Sequence, residues 1–306
     1  TGQSAPKRKL YLKERIAKGD TKTPSSLLLD AGTTKNGTEE IMGLLGGKVF
    51  DFPKPTTLIE RLLRYGMPDG KGIFLDFFSG SATSAHAAML KNQSDGGNRA
   101  FICVQLPEDL DEALKTSSID ARKTAERAIA LLDSLNRAHY LTELGAERIR
   151  RAGDKIKSGL EESNRQLKLG EEPRSLPDIG FRVFALDDSG IQRPDPGVLL
   201  NDVVKPDRSD LDIVFEMMLK WGLELTLPIE REEFAGYPAY SVAAGELICC
   251  LAPGLTTDTL EAIADECPRR VFILDSVLTD SLKLNALQLF RAAGERHGEE
   301  IDLRTV

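Results

Sequence analysis

The chain has 306 residues, with 40 Lys and Arg against 48 Asp and Glu, a formal net charge of −8, and 41% apolar side chains. That length suffices for one large or two ordinary domains with a full core, and no apolar run reaches the roughly 20 residues that a membrane-spanning helix needs, so a membrane protein and a mainly disordered chain are both excluded. The charge is uneven: residues 1–200 hold 30 basic and 28 acidic side chains, whereas 201–306 hold 10 and 20. An anionic partner, gripped by clustered Lys and Arg, is therefore expected on the first two thirds.

The four cysteines, Cys103, Cys249, Cys250 and Cys267, include no C-x-x-C pair. Neither a disulfide framework nor a zinc site is expected. Three lie in apolar runs and read as buried thiols of a reducing compartment. The N-terminus lacks the charged-then-apolar pattern of a secretory signal. It opens on Thr1 with a polar, basic stretch containing Lys7, Arg8, Lys9, Lys13, Arg15 and Lys18, which reads as an entry into the middle of something longer. A cytoplasmic location is expected.

In chain order, residues 1–50 read as mostly loop, with one apolar run at 27–29 and a helix-like patch over 39–45. After Pro55, Leu58, Ile59, Leu62 and Leu63 fall at helical spacing, and Gly66 with Pro68 closes that helix. Residues 72–78, GIFLDFF, form a short apolar run that reads as a buried strand. A small-residue turn and a helix follow, then RAFICVQ at 99–105 as a second buried strand. Strand, helix and strand with a crossover of about twenty residues predict a parallel βαβ unit.

Residues 119–169 are strongly helical, with breaks expected near Gly145 and Gly153. The second piece is charge-rich and reads as a solvated face, although Arg148, Arg150 and Arg151 could equally contact phosphate or a partner. Pro173 and Pro177 mark a linker, residues 180–186 (GFRVFAL) read as a strand, and residues 191–197 as a second linker. From Ser209 the pattern predicts a helix carrying Met217, Met218 and Trp221, then a hairpin around Gly245, a helix, the strand RRVFILD, and a last helix: a compact α+β unit of about 100 residues.

The segment with chemical content is Ile73 to His86. A strand that ends in Asp76 and turns through Phe77, Phe78, Ser79, Gly80, Ser81 and Ala82 into a helix is the first βα turn of a doubly wound sheet, where ligands sit beyond the carboxyl ends of the strands. Small residues let a ligand approach, turn amides donate to an anion, and Asp76 accepts from an ammonium or hydroxyl. The G-x-G-x-x-G pattern and the P-loop lysine are both absent. Phe77 and Phe78 are expected on opposite faces of a strand, with Phe77 in the core. His86 is expected to pack in the first helical turn in preference to acting as a base.

Asp76-Phe77-Phe78-Ser79-Gly80-Ser81 resembles the Asp-x-Phe-x-Gly-x-Gly turn with which beta-class DNA methyltransferases bind S-adenosylmethionine. The sequence departs from that pattern at Ala82, where the family usually has glycine, and at Ser84, often threonine there. Upstream, Phe52-Pro53-Lys54-Pro55-Thr56-Thr57-Leu58-Ile59 is similar to the family's Lys-Pro helix, which closes over the methionine end of the cofactor. Val104-Gln105-Leu106-Pro107-Glu108 is similar to the strand end near its ribose. Glu147-Arg148-Ile149-Arg150-Arg151-Ala152, Gly180-Phe181-Arg182-Val183-Phe184 and, in the C-terminal unit, Leu225-Thr226-Leu227-Pro228-Ile229-Glu230, Leu274-Asp275-Ser276 and Lys283-Leu284-Asn285 resemble tracts of the modification subunits of type III restriction-modification systems.

The resemblance implies an α/β fold: a Rossmann-like, S-adenosylmethionine-dependent methyltransferase half-sheet with a helical arm over residues 51–190, followed by a C-terminal α+β assembly domain over 205–306. Residues 1–50 would be the tail of an upstream recognition region. It implies S-adenosylmethionine as cofactor, held by Lys54, Pro55, Thr56, Asp76, Phe78, Ser79, Gly80, Ser81, Thr83, Gln105 and Leu106, with methyl transfer to adenine in duplex DNA after extrusion of the base. A restriction subunit and a second copy of the chain are the implied protein partners; no metal and no membrane are implied. The family works through an Asp-Pro-Pro-Tyr type loop, and no Pro-Pro dipeptide occurs here. No catalytic residue is therefore assigned, and the chain is expected to be a C-terminal portion that does not methylate DNA unaided and leaves an apolar strand edge exposed. Two other readings stay open: a non-catalytic interaction module on a retained nucleotide-type fold, and a binder of another nucleotide.

Overall fold

A computed structural model of the chain describes residues 28, 30–116, 118–167, 172–192 and 204–306. The basic N-terminal stretch, most of the 27–29 run and most of the 191–197 linker lie outside the described residues. Two compact units divide at residues 183 and 184, and each is described by itself. No described helix is long and apolar enough to cross a membrane.

The first unit opens with helix α1 (Thr34–Leu45), longer than the patch expected over 39–45. Asn36 extends it at the start, its Oδ1 accepting from the Thr33 amide at 2.9 Å, and Gly46 ends it in the left-handed region at φ 83°. Helix α2 (Thr56–Gly66) follows Pro55, whose fixed φ suits a helix start. Then come strand β1 (Lys71–Asp76), helix α3 (Thr83–Asp95) and strand β2 (Asn98–Cys103). The two strands pair in parallel from Lys71↔Asn98 to Asp76↔Cys103, as the βαβ spacing predicts. Helices α4 (Leu110–Thr116), α5 (Ile119–Ser134) and α6 (Leu141–Arg165) complete the unit.

Three expectations for this unit are corrected. First, β1 is not a buried strand. Among the described residues it pairs with β2 alone, and only one sheet face is covered: Phe101 and Cys103 pack with α3 and α6, while Ile73, Leu75, Ile102 and Val104 face outward. Second, α6 runs unbroken through Gly145 and Gly153; the break lies between Ser134 and Leu141. Both glycines serve close approach. A Cβ on Gly145 would reach 3.4 Å from the Gly80 carbonyl oxygen, and one on Gly153 3.3 Å from Ile179. Third, residues 180–186 form no strand. Two of their aromatic groups find separate partners, while Val183 and Leu186 are exposed: Arg150 lies over the Phe181 ring at 5.5 Å, and Phe184, in the second unit, meets Phe215 edge-on at 4.9 Å.

The second unit holds helix α7 (Asp210–Lys220), strands β3 (Ile229–Phe234), β4 (Tyr237–Val242) and β5 (Leu247–Cys250), helix α8 (Thr257–Asp265), strand β6 (Arg270–Ile273), helix α9 (Asp280–His297) and strand β7 (Asp302–Thr305). The sheet order is β3-β4-β5-β6-β7. The first three strands run antiparallel, with the expected hairpin at Gly245; β5, β6 and β7 run parallel. The crossovers through α8 and α9 make this half α/β in character, in place of segregated α+β. Alternation along β5 serves both faces: Ile248 and Cys250 pack with α8 and α9, while Leu247 and Cys249 pack with Ile213, Val214, Met217 and Met218 of α7. Each of the buried Leu, Ile, Val and Met side chains contributes about 1.5–3 kcal/mol on full burial. The methionine pair is thus core, and Trp221 caps the same helix with its Nε1 donating to Asp302 at 2.7 Å.

Candidate functional site

The turn between β1 and α3 begins where Asp76 leaves the sheet. The Val104 amide donates to the Asp76 carbonyl at 2.8 Å, and the Ser79 amide donates to the Val104 carbonyl at 3.2 Å, so the end of β2 braces the turn. Gly80 follows at φ 51°, and its amide donates to Gln105 Oε1 at 2.8 Å. A Cβ on Gly80 would come 3.0 Å from the Phe50 ring, so glycine is favoured there by both conformation and space. Ala82 is likewise left-handed, φ 55° and ψ 39°, and caps α3. This is the position where the resembled family has glycine; alanine carries the strain that glycine would avoid.

Phe77 and Phe78 are corrected. Both belong to the turn, both are exposed, at 66% and 78%, and neither enters the core. The strand ends at Asp76, two residues before the end of the apolar run, because the backbone must leave the ladder to make the turn. Phe78, exposed Leu106 and half-buried Asp76 thus lie at the carboxyl ends of the two strands. The Asp76 carboxylate is oriented by Ser84, whose Oγ donates to Oδ2 at 2.7 Å.

Ser81 and Thr83 are buried and face inward. Both hydroxyls accept from Arg148 Nη1, at 2.8 Å and 2.7 Å, and the Ser81 carbonyl lies 3.3 Å from the same nitrogen. Arg148 is 0% exposed. The solvated reading of its helix face is therefore wrong at this position. Charge periodicity alone does not distinguish a cation in water from one seated in a turn.

Lys54 is exposed, while Pro55 and Thr56 are buried at the start of α2. The Thr56 amide donates to both oxygens of Glu40, at 3.2 and 3.0 Å, and its hydroxyl donates to Oε1 at 3.1 Å. Glu40 Oε2 in turn stands 3.7 Å from Arg148 Nη2. The structure therefore joins Thr56, Ser81 and Thr83 through Glu40 and Arg148, and joins Asp76, Ser79, Gly80 and Gln105 through the β2 end. Glu40 was missed in the sequence; no spacing rule links a mid-helix glutamate to a helix start sixteen residues on. Gly37 explains the proximity. A Cβ there would fall 2.3 Å from the Pro53 carbonyl oxygen, so α1 crosses directly over the segment before α2.

His86 is buried in the first turn of α3 with Nδ1 unpartnered. Burial, and then the nearby charges of Arg148 and Lys155, push its pKa down to about 3. It is a neutral packing residue.

The amides of Ser79, Gly80 and Ala82 are all engaged within the protein, so anion donation by these amides, expected from the sequence, is not what this geometry offers. What it offers is a left-handed cradle, a partly exposed carboxylate fixed in orientation, and the apolar surfaces of Phe78 and Leu106. Such a set suits a ligand with hydroxyl or ammonium donors beside a flat apolar group.

No family model matches the chain. It is similar to the type III restriction-modification enzyme StyLTI Mod subunit of Salmonella typhimurium, 35% identical over 155 residues, which is 51% of this chain and 19% of that protein. The EcoPI Mod subunit of Escherichia phage P1 is 29% identical over 261 residues, covering 83% and 36%. The EcoP15I Mod subunit of Escherichia coli is 26% identical over 296 residues, covering 92% and 39%. The chain is a relative of the Mod subunits of type III restriction-modification enzymes. Its matches span between about a fifth and two fifths of those proteins' length.

Proposed function

We propose that this chain is the S-adenosylmethionine-binding and C-terminal portion of an adenine-specific DNA methyltransferase of the type III restriction-modification kind. The observation that carries the reading is the β1–α3 turn, with Gly80 and Ala82 left-handed and the Asp76 carboxylate held by Ser84 at the mouth of a parallel strand pair. Its residues fit the cofactor. Asp76 would accept from a ribose hydroxyl or the methionine ammonium, Phe78 and Leu106 would flank the adenine, and the Lys54–Thr56 segment would lie along the methionine end. Gly80, Ser79 and Gln105 would shape the cradle, with Ser81 and Thr83 supporting it from within. Bound there, S-adenosylmethionine supplies an electrophilic methyl group on a sulfonium.

In this reading the chain's own residues bind and orient, and no Pro-Pro dipeptide for the loop that handles the target amine occurs in these 306 residues. Residues 51–190 would form the cofactor-binding part, Rossmann-like in kind, and 205–306 an assembly domain for a second copy and for a restriction subunit. Duplex DNA would be engaged chiefly by residues preceding 51 and by segments outside this chain, in the cytoplasm.

The engaged amides of Ser79, Gly80 and Ala82 favour a second reading, a non-catalytic interaction module whose turn binds nothing. Isothermal titration separates the two. Saturable heat with S-adenosylmethionine supports the first; none from a folded sample at high micromolar cofactor overturns it in favour of the second.

A further inference from the structure

Gly145 and Arg148 lie on one face of α6, one turn apart. The glycine lets the helix approach the Gly80 carbonyl, and the arginine reaches past it into the turn. There Nη1 takes up three oxygens, from Ser81 and Thr83. Two further nitrogens of this fully buried guanidinium, Nε and Nη2, have no hydrogen-bond partner. Such donors cost free energy when unmet, and the Glu40 carboxylate stands 3.7 Å from Nη2. That carboxylate already holds the Thr56 amide and hydroxyl. A closure of roughly 0.7 Å would convert the ion pair into a hydrogen bond.

A second link runs in parallel. Arg151, one turn further along α6, pairs with Glu147 at 2.7 Å and reaches the Leu44 carbonyl of α1 at 3.3 Å. Helix α6 is therefore tied to α1 at two points. It touches the 79–83 turn directly and reaches the start of α2 through Glu40.

We propose that Arg148 is a positioning residue, which through Glu40 couples the 79–83 turn to the Lys54–Thr56 segment so that the two parts of the site keep one geometry. Its relevance to binding rests on the cofactor reading above; the coupling itself does not. Arg148 touches no ligand surface, and its work is done on residues that would.

The coupling is tested without cofactor by hydrogen exchange on the folded chain and its Glu40→Gln, Arg148→Lys and Arg148→Met variants. The informative effects are crossed ones. Glu40→Gln should speed exchange about tenfold in the 79–86 segment, and Arg148→Met should do so at the start of α2, with Arg148→Lys intermediate in both. Effects confined to each residue's own neighbours overturn the proposal. Arg148→Lys retains the cation, so it reports even if Arg148→Met fails to fold.

A second arm uses S-adenosylmethionine affinity. Glu40→Gln and Arg148→Lys should each weaken binding about tenfold, and the double variant should be no worse than the weaker single one. Additive losses overturn the coupling. If the unaltered chain binds no cofactor, the functional reading fails, and the crossed exchange effects still decide the coupling.

Discussion

Ser84 Oγ donates to Asp76 Oδ2 at 2.7 Å, so the acid at the end of β1 is aimed by the first turn of the helix that follows it. The bond crosses the turn and fixes the carboxylate relative to the backbone cradle. Ser84 is buried and Asp76 is partly exposed. The serine therefore serves the acid from beneath while the acid's other side meets solvent.

Ser84→Ala should lower stability by about 1–2 kcal/mol, the cost of losing a hydrogen bond to a charged acceptor. It should weaken S-adenosylmethionine binding several-fold by freeing the Asp76 rotamer. Chemical denaturation and calorimetry read the two effects; Ser84→Thr, which keeps the hydroxyl, should restore binding.

Ala82→Gly should be nearly neutral. A left-handed alanine carries about 1–2 kcal/mol of strain that glycine relieves, against about 0.8 kcal/mol for the buried methyl and about 0.5–1 kcal/mol for glycine's extra chain entropy. At a right-handed helical site the same change would lose both the methyl and the helix propensity. A loss well above 2 kcal/mol in urea unfolding would contradict the positive φ at this cap.

Gly37→Ala should be severe, because its Cβ would fall 2.3 Å from the Pro53 carbonyl oxygen. The roughly 1 kcal/mol gained in helix propensity is outweighed by overpacking of about 3 kcal/mol. The displaced segment carries Lys54 and Pro55, so cofactor affinity should fall with the melting temperature.

His86 sets a pH dependence whose sign follows from burial. Its folded pKa, about 3, lies below its ordinary value near 6.5, so the unfolded chain binds more protons between these limits and stability rises with pH there. The contribution is complete above about pH 6.5 and is lost as pH falls towards 3. His139 acts oppositely: Asp111 and Asp133 raise its pKa, so its contribution is present below about 6.5 and lost as pH rises through the raised value. Denaturation midpoints between pH 4.5 and 6.5 should climb in the native chain and flatten in His86→Gln; equal slopes would show that His86 is not buried neutral.

Much of this was legible in the sequence because the relevant signals are local. The glycine-bounded run at 72–78, the small-residue turn and the run at 99–105 foretold a parallel βαβ unit, and Met217 and Met218 on an amphipathic helix foretold a core face. The misses are tertiary. Gly145 and Gly153 weaken a helix by propensity, yet here they admit the 79–83 turn and Ile179. Arg148 sits in a charge-rich helix and is buried, since a turn with two inward hydroxyls supplies its partners. Strand β3, Ile229–Phe234, contains four charged residues in succession and forms because β4 offers a ladder. Phe77 and Phe78 look like strand residues until the backbone turns at Asp76.

The most direct measurement is calorimetric titration of the folded chain with S-adenosylmethionine, beside an Asp76→Ala variant that melts at a similar temperature. Saturable binding by the native chain, lost in the variant, is the predicted result. No heat from the native chain at high micromolar cofactor, or equal binding by both, would contradict the assignment of the β1–α3 turn as the cofactor site.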